Sequence, residues 1–314
     1  MAPTSDTGVR LLVAGDKSHA GKSTVSLGLL VALLESGFQP SEIAYIKPAT
    51  QCVSSTLTAR FCKSAGIDYE HIGPVVFYRG FTREQLDISG EVAPNSIDAD
   101  APPPVSFPDQ CAQAVDRISR GKKLTLIDGV GYPSVGSIIG CSSADVAIAC
   151  RAPVLIVGRP GVGDAIDSFN LCATFFEAQQ IPVIGGIFNK LQPTGFYGRD
   201  KCDEYVRKYM AANRPRQRVY GLLPTHESLT SMAAEESCGF AFKRPEQQPD
   251  AGELSADDEK AISAVSDLFK RYVNTRGLID DLADASANPA AWARVLPSFP
   301  GSSASRSSKR GRND

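Results

Sequence analysis

Ten consecutive residues near the start of the chain carry the strongest chemical signal: Gly15-Asp16-Lys17-Ser18-His19-Ala20-Gly21-Lys22-Ser23-Thr24. They lie between an apolar run and a helical stretch. A loop so placed turns its backbone N–H groups toward an anion, and the helix start adds the positive end of its dipole. Lys22 can reach a β/γ-phosphate, and the Ser23 hydroxyl can ligate Mg²⁺. Gly15, Ser18, His19, Ala20, Gly21, Lys22, Ser23 and Thr24 are the candidate nucleotide contacts. Five residues separate Gly15 from Gly21, one more than in the common Gly-x4-Gly-Lys-Ser/Thr loop.

Three further positions complete a candidate site. Lys123-Leu-Thr-Leu-Ile-Asp128-Gly129-Val-Gly131 is an apolar run ending in an acid. An aspartate at the carboxyl end of a strand beside a phosphate loop can hold Mg²⁺, directly or through water; capping the next turn is the structural alternative. Tyr45-Ile46-Lys47-Pro48 ends another apolar run, and the proline restricts the backbone of Lys47, aiming its side chain at the sheet edge. Ile187-Phe188-Asn189-Lys190 brings an amide to where a base can lie. Because Gln192 stands where guanine recognition wants a carboxylate, adenine is the expected base.

These residues need strands that end at one edge and helices that cover both faces. Short β-branched runs at 9–14, 43–46, 124–127, 154–157, 183–188 and 218–222 supply the strands. Helical stretches at 22–36, 54–65, 108–120, 165–179, 200–210 and 228–236 alternate with them. This is the pattern of an α/β fold with a doubly wound, mostly parallel sheet. A nucleotide-binding domain is expected over residues 1–240, with a loop-rich excursion at 81–106. Residues 241–284 read as a polar segment and a helix capped by Ser255, and 285–314 as a disordered Ser/Arg-rich tail.

Lys and Arg number 33 against 35 Asp and Glu, a net charge of -2, so the chain as a whole lacks the basic surface that nucleic acid or anionic lipid would require. No apolar run reaches the roughly 20 residues of a membrane-spanning helix. The first residues have neither a secretory nor a transit-peptide layout, and cytoplasm is the expected location. The 8 cysteines show no Cys-x-x-Cys pair, and they read as reduced, buried small hydrophobes. Arg79 and Arg83 either grip an anion or form surface ion pairs. Asp164, after Gly161-Val162-Gly163, either lines the carboxyl edge or caps a helix. Trp292 is expected to pack back on the body.

In their joint order, Gly-x5-Gly-Lys-Ser, Tyr45-Ile-Lys47-Pro48, Asp128-Gly-Val-Gly, Pro153-Val-Leu-Ile-Val-Gly158, Asn189-Lys190 and Gly221-Leu-Leu-Pro224 resemble the dethiobiotin synthetase family of P-loop enzymes. The five-residue gap is that family's own spacing. The likeness covers roughly residues 9–240 and extends to the N-terminal domain of some phosphotransacetylases and to cobyrinate diamide synthases. It implies a homodimeric, ATP- and Mg-dependent ligase that carboxylates a diamine with carbon dioxide, phosphorylates the carbamate and closes a cyclic urea.

Lys22, Lys47 and Lys17 are the catalytic candidates. Lys47 matches the family's Lys-Pro lysine, Asp128 a metal-binding Glu, and Asn189 an adenine contact; Ser23 and Asp128 are the candidate metal ligands. Two departures stand out. Residues 54–66 contain no acid where the family carries a second metal carboxylate, and Gly129-Val-Gly-Tyr132 replaces the family's Gly-Ala-Gly-Gly. A family member with changed or lost ligase activity is therefore also considered. Lys17 lies five residues before Lys22, as does the signature lysine of partition and septum-site ATPases, which makes a dimeric switch ATPase another reading.

Overall fold

The apolar run after Gly8 forms strand β1 (Val9–Gly15), which passes through the glycine loop into helix α1 (Lys22–Glu35). Next come β2 (Ile43–Ile46), β3 (Ala49–Thr50), α2 (Leu57–Ala65), β4 (Asp68–Glu70), β5 (Val75–Val76), α3 (Phe81–Glu91) and α4 (Phe107–Ile118). The chain continues through β6 (Leu124–Asp128), α5 (Ser143–Cys150), β7 (Val154–Gly158), α6 (Gly163–Glu177), β8 (Val183–Leu191), α7 (Arg199–Asn213) and β9 (Arg218–Pro224). Helices α8 (Ala256–Tyr272) and α9 (Thr275–Ala287) and the single turn α10 (Pro289–Trp292) follow. This computed structural model describes residues 8–51, 53–91, 105–229 and 249–292.

Seven strands form one parallel sheet in the order β4-β2-β6-β1-β7-β8-β9, and β3 and β5 pair separately. The chain moves from β1 toward one edge, returns to β6, and then continues on the other side through β7. That reversal makes a crevice at the carboxyl end of β1, the place where open α/β sheets gather ligands. The doubly wound expectation holds.

Alternation along β1 divides its side chains between two cores, as a pleated strand requires. Leu12 and Ala14 join one core with Ala114 of α4, Ala147 of α5 and Phe169 of α6. Leu11 and Val13 join the other with Leu30 of α1, Leu57 of α2, Phe269 of α8 and Leu282 of α9. Covering both faces explains why these strands read as nearly unbroken apolar runs. Helix α1 is apolar almost all round because α8 closes over its outer side, and Gly28 makes the crossing close. A Cβ there would lie 2.0 Å from the Phe269 ring.

Several boundaries differ from expectation. Helix α2 starts at Leu57, because Thr56 takes the N-cap and its hydroxyl accepts from the Ala59 N–H at 3.4 Å. The excursion from 81 opens with helix α3, whose Phe81 meets Phe77, Tyr78 and Phe107 edge-on. Its charged composition hides this anchor in the sequence. Helices continue past residue 285 to Trp292, whose indole N–H donates to Asp284 at 2.8 Å. Of the helix expected at 228–236, only a 3-10 turn at Glu227–Leu229 falls within the described residues. The tail from 293 lies outside them. Among the described residues no helix is long and apolar enough to cross a membrane. Six described cysteines are free and buried, and burial pushes the Cys150 and Cys172 thiols up to about 12.

Candidate nucleotide-binding site

The glycine loop leaves β1 at the crevice and is clamped from two sides. At its start, the buried Asp16 accepts from the Arg159 backbone N–H and from its Nε, both at 2.9 Å. This tie to the end of β7 was not among the sequence expectations, although an acid directly after Gly15 was its visible signal. On the other side, the end of β8 grips the loop: Asn189 Nδ2 donates to the Ala20 carbonyl at 3.3 Å, and Lys190 Nζ to the His19 carbonyl at 2.7 Å. Gly21 has φ +91°, and a Cβ there would lie 2.2 Å from Asn189 Nδ2, so only glycine fits this position.

Within the loop, Lys17, Ser18 and His19 are exposed, while Ala20, Gly21, Ser23 and Thr24 are buried and Lys22 is half-buried. His19 is itself left-handed at φ 60°, and so is Lys190 at φ 63°. Backbone of this kind clusters at ligand clamps, where the surroundings hold it in place. The Thr58 hydroxyl of α2 donates to the Ser23 carbonyl at 3.3 Å and steadies the start of α1.

Asn189, the residue expected beside the base, has its amide engaged by the loop itself. Its side chain is buried, with Nδ2 turned to Ala20 and Oδ1 accepting from the Lys190 N–H at 2.8 Å. The carboxamide braces the loop. Asp164 does not cap α6; it is the second residue of that helix, and the N-cap is Val162. Arg79 and Arg83 are both exposed.

Beside the loop, β2, β6 and β1 end in register, and three side chains converge there. Asp128 is 1% exposed. Its Oδ2 accepts from the Tyr45 hydroxyl at 2.9 Å and lies 3.2 Å from Lys47 Nζ, while its Oδ1 is buried without a partner. Next to Lys47, at the end of β4, His71 is 2% exposed and neither ring nitrogen has a partner. Burial, and then the Lys47 charge, push its pKa down, opposed by the weaker pull of Asp250. His71 was not singled out from the sequence, since nothing local marks a lone histidine as buried. A cleft beside Asp128 is lined by Leu12, Pro48, Gly129, Val135, Cys141 and Ser143.

The residues present fit a magnesium ion. Mg²⁺ takes hard oxygen donors and keeps waters, usually with one or two carboxylates plus substrate phosphates. The unpartnered Oδ1 of Asp128 is such a donor, and the buried Ser23 supplies a hydroxyl. Helix α2 brings no acid, and among the described residues no group of three or more His, Cys, Asp or Glu side chains could hold a metal alone. The rest of any coordination sphere would fall to phosphate oxygens and water.

A strand–loop–helix unit at the reversal point of a parallel sheet, with a buried aspartate ending the neighbouring strand, defines a P-loop nucleotide-binding protein. The chain belongs to the AAA domain family, whose model matches residues 9–233. It is similar to the ATP-dependent dethiobiotin synthetase of Saccharopolyspora erythraea, with 26% identity over 175 residues covering 56% of this chain and 71% of that protein. It is also similar to the cobyrinate a,c-diamide synthase of Methanosarcina barkeri, with 39% identity over 59 residues, 18% of this chain and 11% of that protein. The chain thus spans about a tenth of the length of that second relative.

Among solved structures, a nucleotide-binding protein from Archaeoglobus fulgidus in complex with ADP aligns at TM-score 0.39 and 17% identity, covering 73% of this chain and 86% of that one. A Borrelia burgdorferi protein described as a plasmid partition protein, bound to AMPPNP, aligns at TM-score 0.39 and 14% identity, covering 84% and 99%.

Proposed function

We propose that the protein is an ATP-dependent, Mg-assisted ligase of the dethiobiotin synthetase type, acting as a homodimer. The observation that carries this reading is Lys47, held 3.2 Å from Asp128 at the sheet edge beside the loop. A second lysine at that place serves phosphoryl transfer, which is chiefly positioning and neutralisation of spread negative charge.

The loop N–H groups and Lys22 hold the ATP phosphates; Ser23 and Asp128 would hold the metal, which would supply positive charge to the phosphate groups. In the reaction proposed, an amine adds to carbon dioxide and releases a proton, giving a carbamate. A carbamate oxygen attacks the γ-phosphorus, with ADP leaving, and the second amine attacks the carbamate carbon, with phosphate leaving. Lys47 moves from Asp128 to the carbamate and the transferring phosphoryl. Gly129-Val-Gly-Tyr132, where the resemblance implies Gly-Ala-Gly-Gly, supports a substrate other than the family's usual one.

Phosphate release measured with ATP, bicarbonate and a panel of diamines tests this. Release that depends on a diamine is the expected result. Release without any diamine favours the second reading, a dimeric switch ATPase, for which the exposed Lys17 at the outer lip of the loop is the supporting feature. In that case ATP-dependent dimerisation would be lost in Lys17→Ala.

A further inference from the structure

We propose that Tyr45 is the positioning residue that orients Asp128 for the metal. The proposal rests on the reading that the protein binds Mg-ATP. Tyr45 lies on β2 and Lys47 directly follows the end of that strand, its N–H still donating to the Glu70 carbonyl of β4, so the extended alternation carries both side chains to the same side. Both reach the same oxygen of Asp128, at 2.9 Å from the hydroxyl and 3.2 Å from Nζ. Two donors on Oδ2 select one rotation of the carboxylate and leave Oδ1 as the oxygen free to bind elsewhere.

The two donors differ in how firmly they are held. Tyr45 is 0% exposed, and its ring is locked in the core with Leu11, Val13 and Leu30, so its hydroxyl cannot follow a moving partner. The Lys47 side chain is 17% exposed and ends in a flexible stem, able to leave for an arriving phosphate. Once it leaves, Tyr45 is the donor that keeps Oδ2 in place. Outer partners of this kind fix the direction of a metal ligand, and their loss usually costs ten- to hundredfold in metal affinity.

The test is a Mg²⁺ titration of binding of a non-hydrolysable ATP analogue to the full chain, in wild type, Tyr45→Phe and Lys47→Met. Tyr45→Phe keeps the ring and removes only the hydroxyl; it is expected to need about ten- to hundredfold more Mg²⁺, with metal-free binding of the analogue unchanged and saturating Mg²⁺ restoring full binding. Lys47→Met is expected to keep a Mg²⁺ response and to raise the Mg²⁺ requirement less than Tyr45→Phe does, because Tyr45 still holds the carboxylate.

An unchanged Mg²⁺ requirement in Tyr45→Phe would overturn the proposal, as would equal weakening of metal-free and metal-dependent binding, the mark of a merely structural role. If Tyr45→Phe does not fold, Lys47→Met still decides, since a lost Mg²⁺ response there would make Lys47 the orienting group. A wild type indifferent to Mg²⁺ would remove the Mg-ATP reading itself, and the proposal with it.

Discussion

At the scale of single residues, charge is rationed so that each lysine has its own task. Lys22 sits at the start of α1, where the loop's N–H groups converge, and Lys47 waits on Asp128. Lys22→Ala is expected to weaken ATP binding by at least about a hundredfold, because the loop loses its fixed cation, whereas Lys47→Ala should leave affinity within a few fold and lower turnover by roughly two to three orders of magnitude. Equilibrium binding and single-turnover measurements separate the two. His71 makes a different prediction. Its folded pKa is depressed by burial and by Lys47, so as pH falls below about 6.5 the unfolded chain takes up the proton first. The stability is present above that pH and is lost as pH falls through the folded value. His71→Phe should therefore flatten the dependence of unfolding free energy on pH below about 6.5, by at most about 1.4 kcal/mol per pH unit, and cost little at neutral pH because two unpaired ring nitrogens disappear. Parallel slopes in the two proteins would refute this.

At the scale of elements, the loop owes its shape to neighbours on both sides. Asp16 and Arg159 anchor it to β7, Asn189 and Lys190 to β8, and Thr58 to α2. Helix α1 must then lie where the loop ends, and it is held there by α8. The contact runs through Gly28, where a methyl group would meet the Phe269 ring at 2.0 Å. Gly28→Ala is expected to destabilise the fold by about 1–3 kcal/mol as α8 is forced outward, despite alanine's better helix propensity. Chemical denaturation reads this directly, and a stabilised variant would mean that the crossing is not rigid.

At the scale of the whole molecule, binding and stability are placed at opposite edges of the sheet. The loop, Lys47 and Asp128 lie at the carboxyl ends of the strands. At the amino ends of β8 and β9, a buried network joins α6 to α7: Arg214 donates to Glu177 at 2.9 Å and to Gln217 at 2.7 Å, and to Asn170 at 2.5 Å. Its Glu177 is 0% exposed, so removing the arginine strands a buried charge. Arg214→Ala should cost about 3–5 kcal/mol of stability while leaving nucleotide affinity unchanged at temperatures where the variant stays folded. Thermal melts with and without ATP check both halves. A large loss of affinity in the folded variant would mean that the two edges are coupled.

What the sequence by itself determined was whatever depends on neighbours along the chain. Apolar runs and their spacing marked six of the seven strands of the parallel sheet, including Ile43–Ile46 to the residue, but not the polar edge strand Asp68–Glu70; glycines with Lys22 and Ser23 marked the loop between strand and helix. Lys47 and Asp128 were legible as strand-end residues for the same reason. Tertiary structure decided everything that joins residues distant in sequence. Asn189 is 169 positions from Ala20, and only the meeting of β8 with the loop turns its amide into a brace. Tyr45 and Asp128, 83 positions apart, become partners because β2 and β6 lie side by side. His71 is buried by its neighbours in space, and no periodicity announces that. Helix α9 shows weak local signals and owes its place to Leu278 and Leu282 packing on the sheet. Local pattern sets which elements form; long-range packing sets which polar atoms find each other, because a buried donor or acceptor is satisfied only by what the fold brings within reach.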